Sequence, residues 1–224
     1  MSRYILLSYP INTATPSYGN TPPLQIEPYQ QIAQGNSCNT SLIHMHNHLG
    51  THIDAPYHFT NTGKKITDYP IEDFIFSHPI VLDIPKNPGE LVLVDELQSY
   101  SSSLGSCDMI IFRTGFWKYR NETVYRLKNP GISPEIAHYL RTEYPNIRCV
   151  GIDSISISSF IHRELGRKAH TIFLQDKEYS SDPILLLEDM DLSSKKLTRL
   201  RQVFVCPLFI ANLDSSPCTV VGVL

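Results

Sequence analysis

The chain has 224 residues and a formal net charge of −3, and only 18% of its residues are charged. Soluble domains usually contain about 25% charged residues, and a slightly acidic chain is not expected to bind nucleic acid through a broadly basic surface. Hydrophobic residues make up 42% of the chain, which is enough for a substantial core in a single domain spanning residues 1–224. Histidine is unusually frequent, with nine in the chain and five of them within positions 44–58.

The N-terminal segment and the cysteines indicate the cellular compartment. The first apolar patch, Tyr4 to Leu7, is only four residues long, whereas a secretory signal needs an apolar region of about 7–15 residues. No run approaches the roughly 18 apolar residues of a membrane-spanning helix. Five scattered cysteines without paired spacing are typical of reduced thiols. We therefore expect a cytoplasmic protein with a small-molecule substrate and no membrane or nucleic-acid partner.

Apolar runs bounded by turn residues predict a series of short strands. In chain order, strands are predicted at 4–8, within 41–53, and at 79–84, 91–94, 108–113, 148–152 and 183–187, with a final hairpin of 202–210 and 219–224 around a turn at 214–217. Residues 9–40 show no helical period, which predicts an extended loop or short irregular strands.

Helices are predicted at three places. One covers 95–101 with Asp95 as its N-cap. A second starts with Ser133 at the cap and Pro134 at the first helical position, and it stops at Tyr144. The third covers 159–172. Many strands with two or three helices indicate an α/β or α+β fold class with a mixed sheet.

The histidine-rich segment has a regular spacing. All five of its histidines, together with Asp54, occupy even positions. In an extended chain, residues two apart point to the same face, so His48, His52 and Asp54 can face one space. His58 can join them if the chain bends back, and Gly50 and Pro56 are residues that permit such bends.

These residue types are metal ligands. Imidazole nitrogen and carboxylate oxygen bind Zn²⁺, and three protein ligands leave a position open for water, which is the catalytic pattern. The spacing therefore predicts a metal-binding or catalytic role for His48, His52, Asp54 and His58. His44 and His46 share the spacing but lie further along the predicted strand, which favours packing or support of the ligands by hydrogen bonds.

The stretch from His48 to Phe59, HLGTHIDAPYHF, resembles the motif H-x-G-T-H-x-D-x-P-x-H-F of the cyclase-like metal-dependent hydrolases, the family of bacterial kynurenine formamidase and isatin hydrolase. Every fixed position of the motif is filled. Weaker similarity extends along the chain, in Leu-Ser-x-Pro at 7–10, Arg-Thr-Gly at 113–115, Gly-Ile-Asp at 151–153, and an Ala-His pair at 169–170 followed by an apolar strand that ends in Glu188.

The resemblance implies a two-metal site. It assigns one ion to His48, His52 and Asp54 and a second ion to Asp54, His170 and Glu188. The interval between the last two is long and also contains Glu178, a rival ligand, although Glu188 after the apolar run fits better. Three histidines with two carboxylates suit Zn²⁺, whereas oxygen-rich sites also take Mn²⁺, so the metal stays open.

The resemblance also implies a fold, an assembly and an acid/base residue. The fold is a swivelling β/β/α domain. The assembly is a homodimer or higher homo-oligomer in which the partner chain helps to wall the site. His58, the last histidine of the motif, is the implied acid/base.

The predicted reaction is the metal-dependent hydrolysis of an amide or of a cyclic amide or ester, similar to the hydrolysis of N-formylkynurenine by an arylformamidase. A bound metal lowers the pKa of water toward about 7 and so supplies hydroxide, while His58 moves the protons. Tyr18, Phe116 and Trp117 are candidates to stack on an aromatic substrate.

Three other functions are considered. The same site could hydrolyse another substrate, such as isatin or a lactone. A non-catalytic metal-binding module would not need His58, because that residue is not required as a ligand. A cupin-type dioxygenase would use the pair His44 and His46, but a cupin needs a Glu a few residues later, and the first Glu after this pair is Glu72.

Overall fold

The computed structural model describes residues 3–19 and 21–224. Its strands are β1 (Tyr4–Leu6), β2 (Gln25–Gln30), β3 (Thr40–His44), β4 (His52–Asp54), β5 (Ile75–Phe76), β6 (Pro79–Asp83), β7 (Leu91–Val92), β8 (Met109–Arg113), β9 (Gly131–Ile132), β10 (Cys149–Ile152), β11 (Leu185–Glu188), β12 (Gln202–Pro207) and β13 (Ser215–Val223). Its α-helices are α1 (Ser101–Leu104), α2 (Thr123–Leu127), α3 (Pro134–Glu143) and α4 (Arg163–Leu174). Short 3₁₀ helices cover Ile32–Gln34, Pro56–His58, Ile66–Asp68, Ile71–Phe74, Val94–Tyr100, Phe116–Tyr119 and Lys195–Arg199.

A nine-stranded sheet forms the centre of the molecule. Its strands follow the order β5-β12-β13-β4-β11-β10-β8-β6, and β1 also pairs with β13. The strands β6, β8, β10 and β11 are parallel to one another, whereas every pairing that involves β4 or β13 is antiparallel. The predicted fold class, α/β or α+β with a mixed sheet and few helices, is therefore confirmed.

The parallel strands β8, β10 and β11 are buried on both faces. In β8, Ile110 and Phe112 pack against α3 and α4, whereas Met109 and Ile111 point into a second apolar cluster with residues of β11, β12 and β13. Because successive side chains of a strand point to opposite faces, an unbroken apolar run places side chains in both clusters, as is usual for parallel strands.

The predicted helices are found with some corrections. The helix that starts with Ser133 and Pro134 is α3, and it ends before Tyr144 as predicted. The third helix begins later than predicted, at Arg163. The segment near 95–101 is 3₁₀ rather than α-helical, and Asp95 is not its cap. The acidic residue that satisfies its first turn is Glu96, which accepts a hydrogen bond from the backbone N–H of Leu93 at 2.8 Å.

Two strand predictions are also corrected. Residues 41–53 do not form one extended stretch, because the chain turns between β3 and β4, with Gly50 in the left-handed region at φ 70°. The final hairpin is confirmed, but residues 215–217 belong to β13 and the connection lies before them. Pro217 has no N–H to donate, but the pairing with β12 requires only its carbonyl oxygen, which accepts a hydrogen bond from the backbone N–H of Leu208.

Two of the segments that carry the resemblance meet beside the sheet. The Asp153 carboxylate accepts hydrogen bonds from the backbone N–H groups of Thr114 and Gly115, at 2.8 and 2.9 Å. It therefore ties the loop after β8 to the loop after β10.

No helix in the described part of the chain is both long and apolar enough to cross a membrane.

Candidate active site

Strand register brings the first three site residues together. His52 and Asp54 are two positions apart in β4 and so share one face of the sheet, while Ile53 points into the core. The antiparallel pairing of β4 with β11 places Glu188 directly opposite His52. All three polar side chains are buried, with residue exposures of 3%, 1% and 3% for His52, Asp54 and Glu188.

Two further histidines reach the same point from other elements. His170 lies in the second half of α4, and its ring stacks on Phe59 with centroids 4.9 Å apart. His48 lies in the turn before Gly50. The spacing argument for His48 is therefore wrong in its mechanism, because a turn rather than a continuous strand directs this side chain. The structure nevertheless brings it beside Asp54.

The distances describe a compact cluster. His48 Nδ1 lies 3.0 Å from Asp54 Oδ1, and His52 Nε2 lies 3.6 Å from the same oxygen. The Glu188 carboxylate lies 3.4 Å from both His52 Nε2 and His170 Nε2. These ligand-type atoms form two groups of close neighbours, His48-Asp54-His58 and His52-Asp54-Glu188. Asp54 belongs to both groups, but the groups differ from the ligand sets that the resemblance implies, because His58 stands in place of His52 in the first and His52 in place of His170 in the second.

Hydrogen bonds fix which nitrogen of each buried histidine faces the cluster. Nδ1 of His52 lies 2.8 Å from the carbonyl oxygen of Gly50, and Nδ1 of His170 lies 3.0 Å from that of Gly166. Since each Nδ1 donates to a carbonyl, each Nε2 is left with its lone pair directed at the carboxylates. Metal-binding histidines are usually held by such backbone contacts.

Glu188 is also held in place. Its Oε1 accepts hydrogen bonds from the hydroxyl of Ser156 at 2.9 Å and from the backbone N–H of Ile157 at 2.7 Å. The next residue, Asp189, has a positive φ of 51° and forms a bidentate ion pair with Arg120 at 2.6 and 2.9 Å. The strand therefore ends sharply after Glu188, with the second carboxylate turned away from the cluster.

The cluster has strongly coupled charges. Burial alone would raise the pKa of Asp54, but the neighbouring imidazoles, His48 first, hold that pKa well below its usual range. Burial would also raise the pKa of Glu188, but the neighbouring imidazoles of His170 and His52 hold it at about 2 instead. For His48 burial lowers the pKa, but Asp54 and Asp214 outweigh burial and raise the pKa to about 10. The carboxylates are therefore ionised, and protons and cations compete for the same ring nitrogens.

The donor set fits a metal ion. Among the described buried side chains, His52 Nε2 and both carboxylate oxygens of Asp54 have no hydrogen-bond partner. Buried polar atoms are seldom left unpaired, because desolvation without a partner costs roughly 1–3 kcal/mol or more. Imidazole nitrogens and carboxylate oxygens converging at one buried point are the ligands of Zn²⁺ and related divalent ions.

His58 lies at the edge of the cluster and is more exposed than the other site residues. It belongs to the 3₁₀ helix Pro56–His58, which the chain enters directly after β4. Its Nδ1 is 2.7 Å from Oδ2 of Asp214. The same Asp214 oxygen lies 2.9 Å from Nε2 of His48. With Nδ1 occupied, Nε2 of His58 is free to contact a substrate.

A cavity of about 520 Å³ opens over the cluster. Tyr18 lines it, as predicted for a residue that stacks on substrate. Phe116 is fully buried and stacks on Tyr125, so the prediction that it contacts substrate is corrected. Trp117 packs half-buried against the second apolar cluster, and the described lining of the cavity includes neither Phe116 nor Trp117. Phe59 is an aromatic wall residue that the sequence reading did not single out for this role.

The remaining candidate ligands are placed apart from the cluster. Glu178 is exposed and its carboxylate accepts a hydrogen bond from Gln175, whereas Glu188 is buried among the imidazoles. His44 is exposed and lies 3.9 Å from Glu27. His46 lines the cavity, and its Nδ1 accepts a hydrogen bond from the backbone N–H of His48, which agrees with a supporting role.

Asp214 is a site residue that sequence reasoning missed. The sequence predicts only a turn at this position, because a lone Asp next to serines and a proline carries no pattern that indicates catalysis. Its position depends on the pairing of β13 with β4, which places Ser215 opposite Asp54. Asp214 could be recognised as a site residue only if the register between these two distant strands were known.

The comparisons with known proteins agree with this geometry. The family model described as "Putative cyclase" matches residues 5–159. A kynurenine formamidase of Geobacillus thermodenitrificans is 31% identical over 220 residues, covering 97% of this chain and 95% of that protein. An uncharacterized protein of Haemophilus influenzae is 36% identical over 108 residues, covering 47% of this chain and 76% of that protein.

Solved structures share the fold. An isatin hydrolase A from Labrenzia aggregata, solved with benzyl benzoate, superposes with a TM-score of 0.75 at 21% identity, covering 99% of this chain and 93% of that chain. A potential metal-dependent hydrolase with cyclase activity superposes with a TM-score of 0.74 at 23% identity, covering 98% and 96%. The relatives of this chain thus include a kynurenine formamidase by sequence and a potential metal-dependent hydrolase by fold. The chain belongs to the cyclase family.

Proposed function

We propose that the chain hydrolyses the amide bond of an N-formyl arylamine, as an arylformamidase-like enzyme acting on N-formylkynurenine or a close relative. The observation that carries this proposal is the position of His58, which lies at the mouth of a buried ligand cluster and is hydrogen-bonded to Asp214. The similarity to a kynurenine formamidase over 97% of the chain supports the substrate class.

Two divalent ions are proposed as cofactors, Zn²⁺ first and Mn²⁺ as the alternative. His48, His52 and Asp54 would hold one ion, and Asp54, His170 and Glu188 would hold the other. The unpaired buried atoms of His52 and Asp54 support this assignment. When bound, such ions polarise a carbonyl group and lower the pKa of water toward about 7.

His58 has the proposed acid/base role. Because Asp214 accepts a hydrogen bond from Nδ1, the other ring nitrogen, Nε2, keeps its lone pair and can act as an acceptor in the cavity that His58 lines. Nε2 can take a proton from the attacking water and then give it to the nitrogen of the leaving amine, which departs as the neutral amine together with formate. Asp214 stabilises the imidazolium that exists between the two transfers.

The cavity suits a small aromatic substrate. Its volume of about 520 Å³ falls in the usual range of roughly 300–1,000 Å³ for small-molecule sites. Tyr18 and Phe59 offer ring surfaces on its wall, and Ile155 adds an apolar side chain. An arylamine ring can therefore be placed beside the ligand cluster with its formyl group directed at His58.

The test is an activity screen of protein loaded with Zn²⁺ or Mn²⁺ and of protein treated with a chelator. N-formylkynurenine, isatin and a simple lactone serve as substrates. We expect release of formate from N-formylkynurenine by the loaded protein, loss after chelation and recovery on adding the metal back. Activity that is indifferent to chelation contradicts the metal-dependent mechanism, and turnover of isatin or the lactone alone contradicts the substrate class.

We also propose that the chain acts as a homodimer. The strands β2 and β3 pair only with each other within the described residues, although a two-stranded hairpin is marginally stable alone. Ile26 and Ile43 are directly opposed in it and are 49% and 63% exposed, and Tyr29 is 68% exposed. A second copy of the chain would cover these apolar side chains, which single soluble chains seldom leave clustered at the surface.

A further inference from the structure

Two arginines of α4 line the same cavity as the ligand cluster. Arg163 and Arg167 are four positions apart, and His170 follows three positions later, so all three side chains share one face of the helix. This face is directed at the cavity, because all three residues line it. It carries an imidazole at its inner end and two guanidinium groups toward its N-terminal end.

Neither guanidinium is neutralised by a carboxylate. Within residues 3–19 and 21–224, the arginines that form ion pairs are Arg113, Arg120 and Arg148. Arg163 and Arg167 are exposed at the cavity and take no part in such a pair. Since guanidinium groups bind carboxylates through parallel charge-assisted hydrogen bonds, two unpaired ones in a substrate cavity form a suitable anion site.

Arg163 is partly fixed before any ligand arrives. Its guanidinium carbon lies 4.0 Å from the ring centroid of Phe160, a cation–π contact. Burial raises the pKa of the Tyr18 hydroxyl, and the nearby charge of Arg163 opposes that rise. Tyr18 itself lines the cavity. The arginine is therefore held against the Phe160 ring and near the Tyr18 hydroxyl at the cavity wall, and the entropy lost when it binds an anion is reduced.

Helix geometry separates the anion site from the ligand cluster. With a rise of 1.5 Å per residue, Arg167 lies about 4.5 Å and Arg163 about 10 Å along the axis of α4 from His170. All three side chains lean toward the N-terminus of the helix, and the longer arginine side chains extend further in that direction, away from the cluster. A carboxylate bound here cannot be the group that reacts, because the reacting carbonyl must lie beside His58.

We propose that Arg163 and Arg167 bind a carboxylate of the substrate, so that the cavity selects amides whose anionic group is several bonds away from the scissile formyl group. This inference rests on the proposed function for the identity of the reacting bond. The anion site itself follows from the cavity wall and the unpaired charges, and it can be measured separately from hydrolysis.

The experiment compares two substrates that differ in one charge. They are 4-(2-formamidophenyl)-4-oxobutanoate and the corresponding uncharged carboxamide, assayed with zinc-loaded wild type, Arg163→Gln, Arg167→Gln and the double variant. Lys168→Gln is the matched control, because it removes the same charge from the same helix. Lys168 is not among the residues that line the cavity. Arg167→Lys tests whether a positive charge without the guanidinium geometry is sufficient for recognition of the carboxylate.

For the carboxylate substrate, we expect each Arg→Gln variant to lose about tenfold to a hundredfold in kcat/KM, mainly through a higher KM, as for loss of a charge-assisted hydrogen bond. The carboxamide should be hydrolysed equally by wild type and variants, and Lys168→Gln should behave as wild type with both. Equal losses on the carboxylate and the carboxamide, or no loss on either, would overturn the proposal.

Binding of the two amine products, measured by calorimetry, separates this inference from the reaction. We expect wild type to bind the carboxylate product more tightly than the carboxamide product, and the double variant to bind both alike. If no formamide is hydrolysed but this difference in binding is found, the proposed reaction is wrong and the anion site stands. If wild type binds both products equally, the anion site is wrong, whatever the enzyme hydrolyses.

Discussion

The Nδ1 atom of His58 lies 2.7 Å from Oδ2 of Asp214, although 156 positions separate the two residues in the chain. Asp214 directly precedes β13, and the pairing of that strand with β4 places Ser215 opposite Asp54. The same oxygen of Asp214 is 2.9 Å from Nε2 of His48. One carboxylate therefore joins the proposed acid/base to a proposed metal ligand.

Replacement of that carboxylate tests whether it orients His58. We expect Asp214→Asn to lower kcat by about 10- to 100-fold, as is typical for residues that orient a metal ligand or catalytic group. If Asp214 acts through His58 rather than through His48, adding Asp214→Asn to His58→Ala should cause little further loss. Steady-state kinetics of the two single variants and the double variant measure this. Asp95→Asn, an exposed residue, is the control, and losses that simply multiply would contradict the coupling.

His58→Ala separates proton transfer from metal binding. We expect this variant to retain its bound metal but to lose about 10²- to 10⁴-fold in kcat, the usual contribution of a general acid/base. Metal analysis and kinetics on the same sample provide both readouts. Turnover at the wild-type rate would refute the acid/base role, and loss of metal together with activity would instead make His58 a ligand.

The two candidate glutamates predict different metal contents. Glu188 is buried between His52 and His170, so Glu188→Gln should lose the second ion and most activity. Glu178 is exposed, and Glu178→Gln should keep both ions and full turnover. Elemental analysis of the zinc-loaded proteins after desalting measures the content per chain. Loss of metal only from Glu178→Gln would show that Glu178, and not Glu188, is the ligand of the second ion.

The ion pair next to the site has a predicted role in stability. Asp189 is 2% exposed and forms two hydrogen bonds with Arg120, whereas Asp83 is 54% exposed in its contact with Arg113. Removing one charge of a buried pair leaves the other unpaired, so Asp189→Asn should lower the free energy of unfolding by about 3 kcal/mol. Asp83→Asn should lower it by less than about 1 kcal/mol.

Urea unfolding of metal-free wild type and both variants measures these differences. Asparagine tolerates the positive φ of Asp189, so the substitution tests the charge rather than the backbone. Equal effects of Asp189→Asn and Asp83→Asn would show that burial of the pair does not govern its contribution.

The sequence predicted the local part of the site better than the distant part. His48, His52, Asp54 and His58 lie within eleven positions, and both their spacing and their motif were visible. The prediction that an extended strand directs His48 is wrong, because the chain turns at Gly50, a residue that permits a bend, before it enters β4.

The distant residues needed more than local pattern. His170 and Glu188 were found only through the resemblance, because their approach depends on the docking of α4 and on the register of β11 against β4. Nothing in the sequence signalled Asp214, Arg163 or Arg167. An exposed arginine and a turn aspartate have no local feature that distinguishes them from solvated surface residues, and only the folded chain shows which of them faces the cavity.

The proposed homodimer can be tested on the hairpin of β2 and β3. We expect wild type to have twice the 25.4 kDa chain mass by light scattering, and Ile43→Lys to dissociate toward the single chain, because a charge would then be buried without a partner. Thr40→Lys is the control, since it adds the same charge to an exposed polar position of the same strand. The hairpin leads directly into His46 at the cavity wall, so dissociation should also lower activity at low protein concentration. A wild-type protein that has the mass of one chain at every concentration would contradict both expectations.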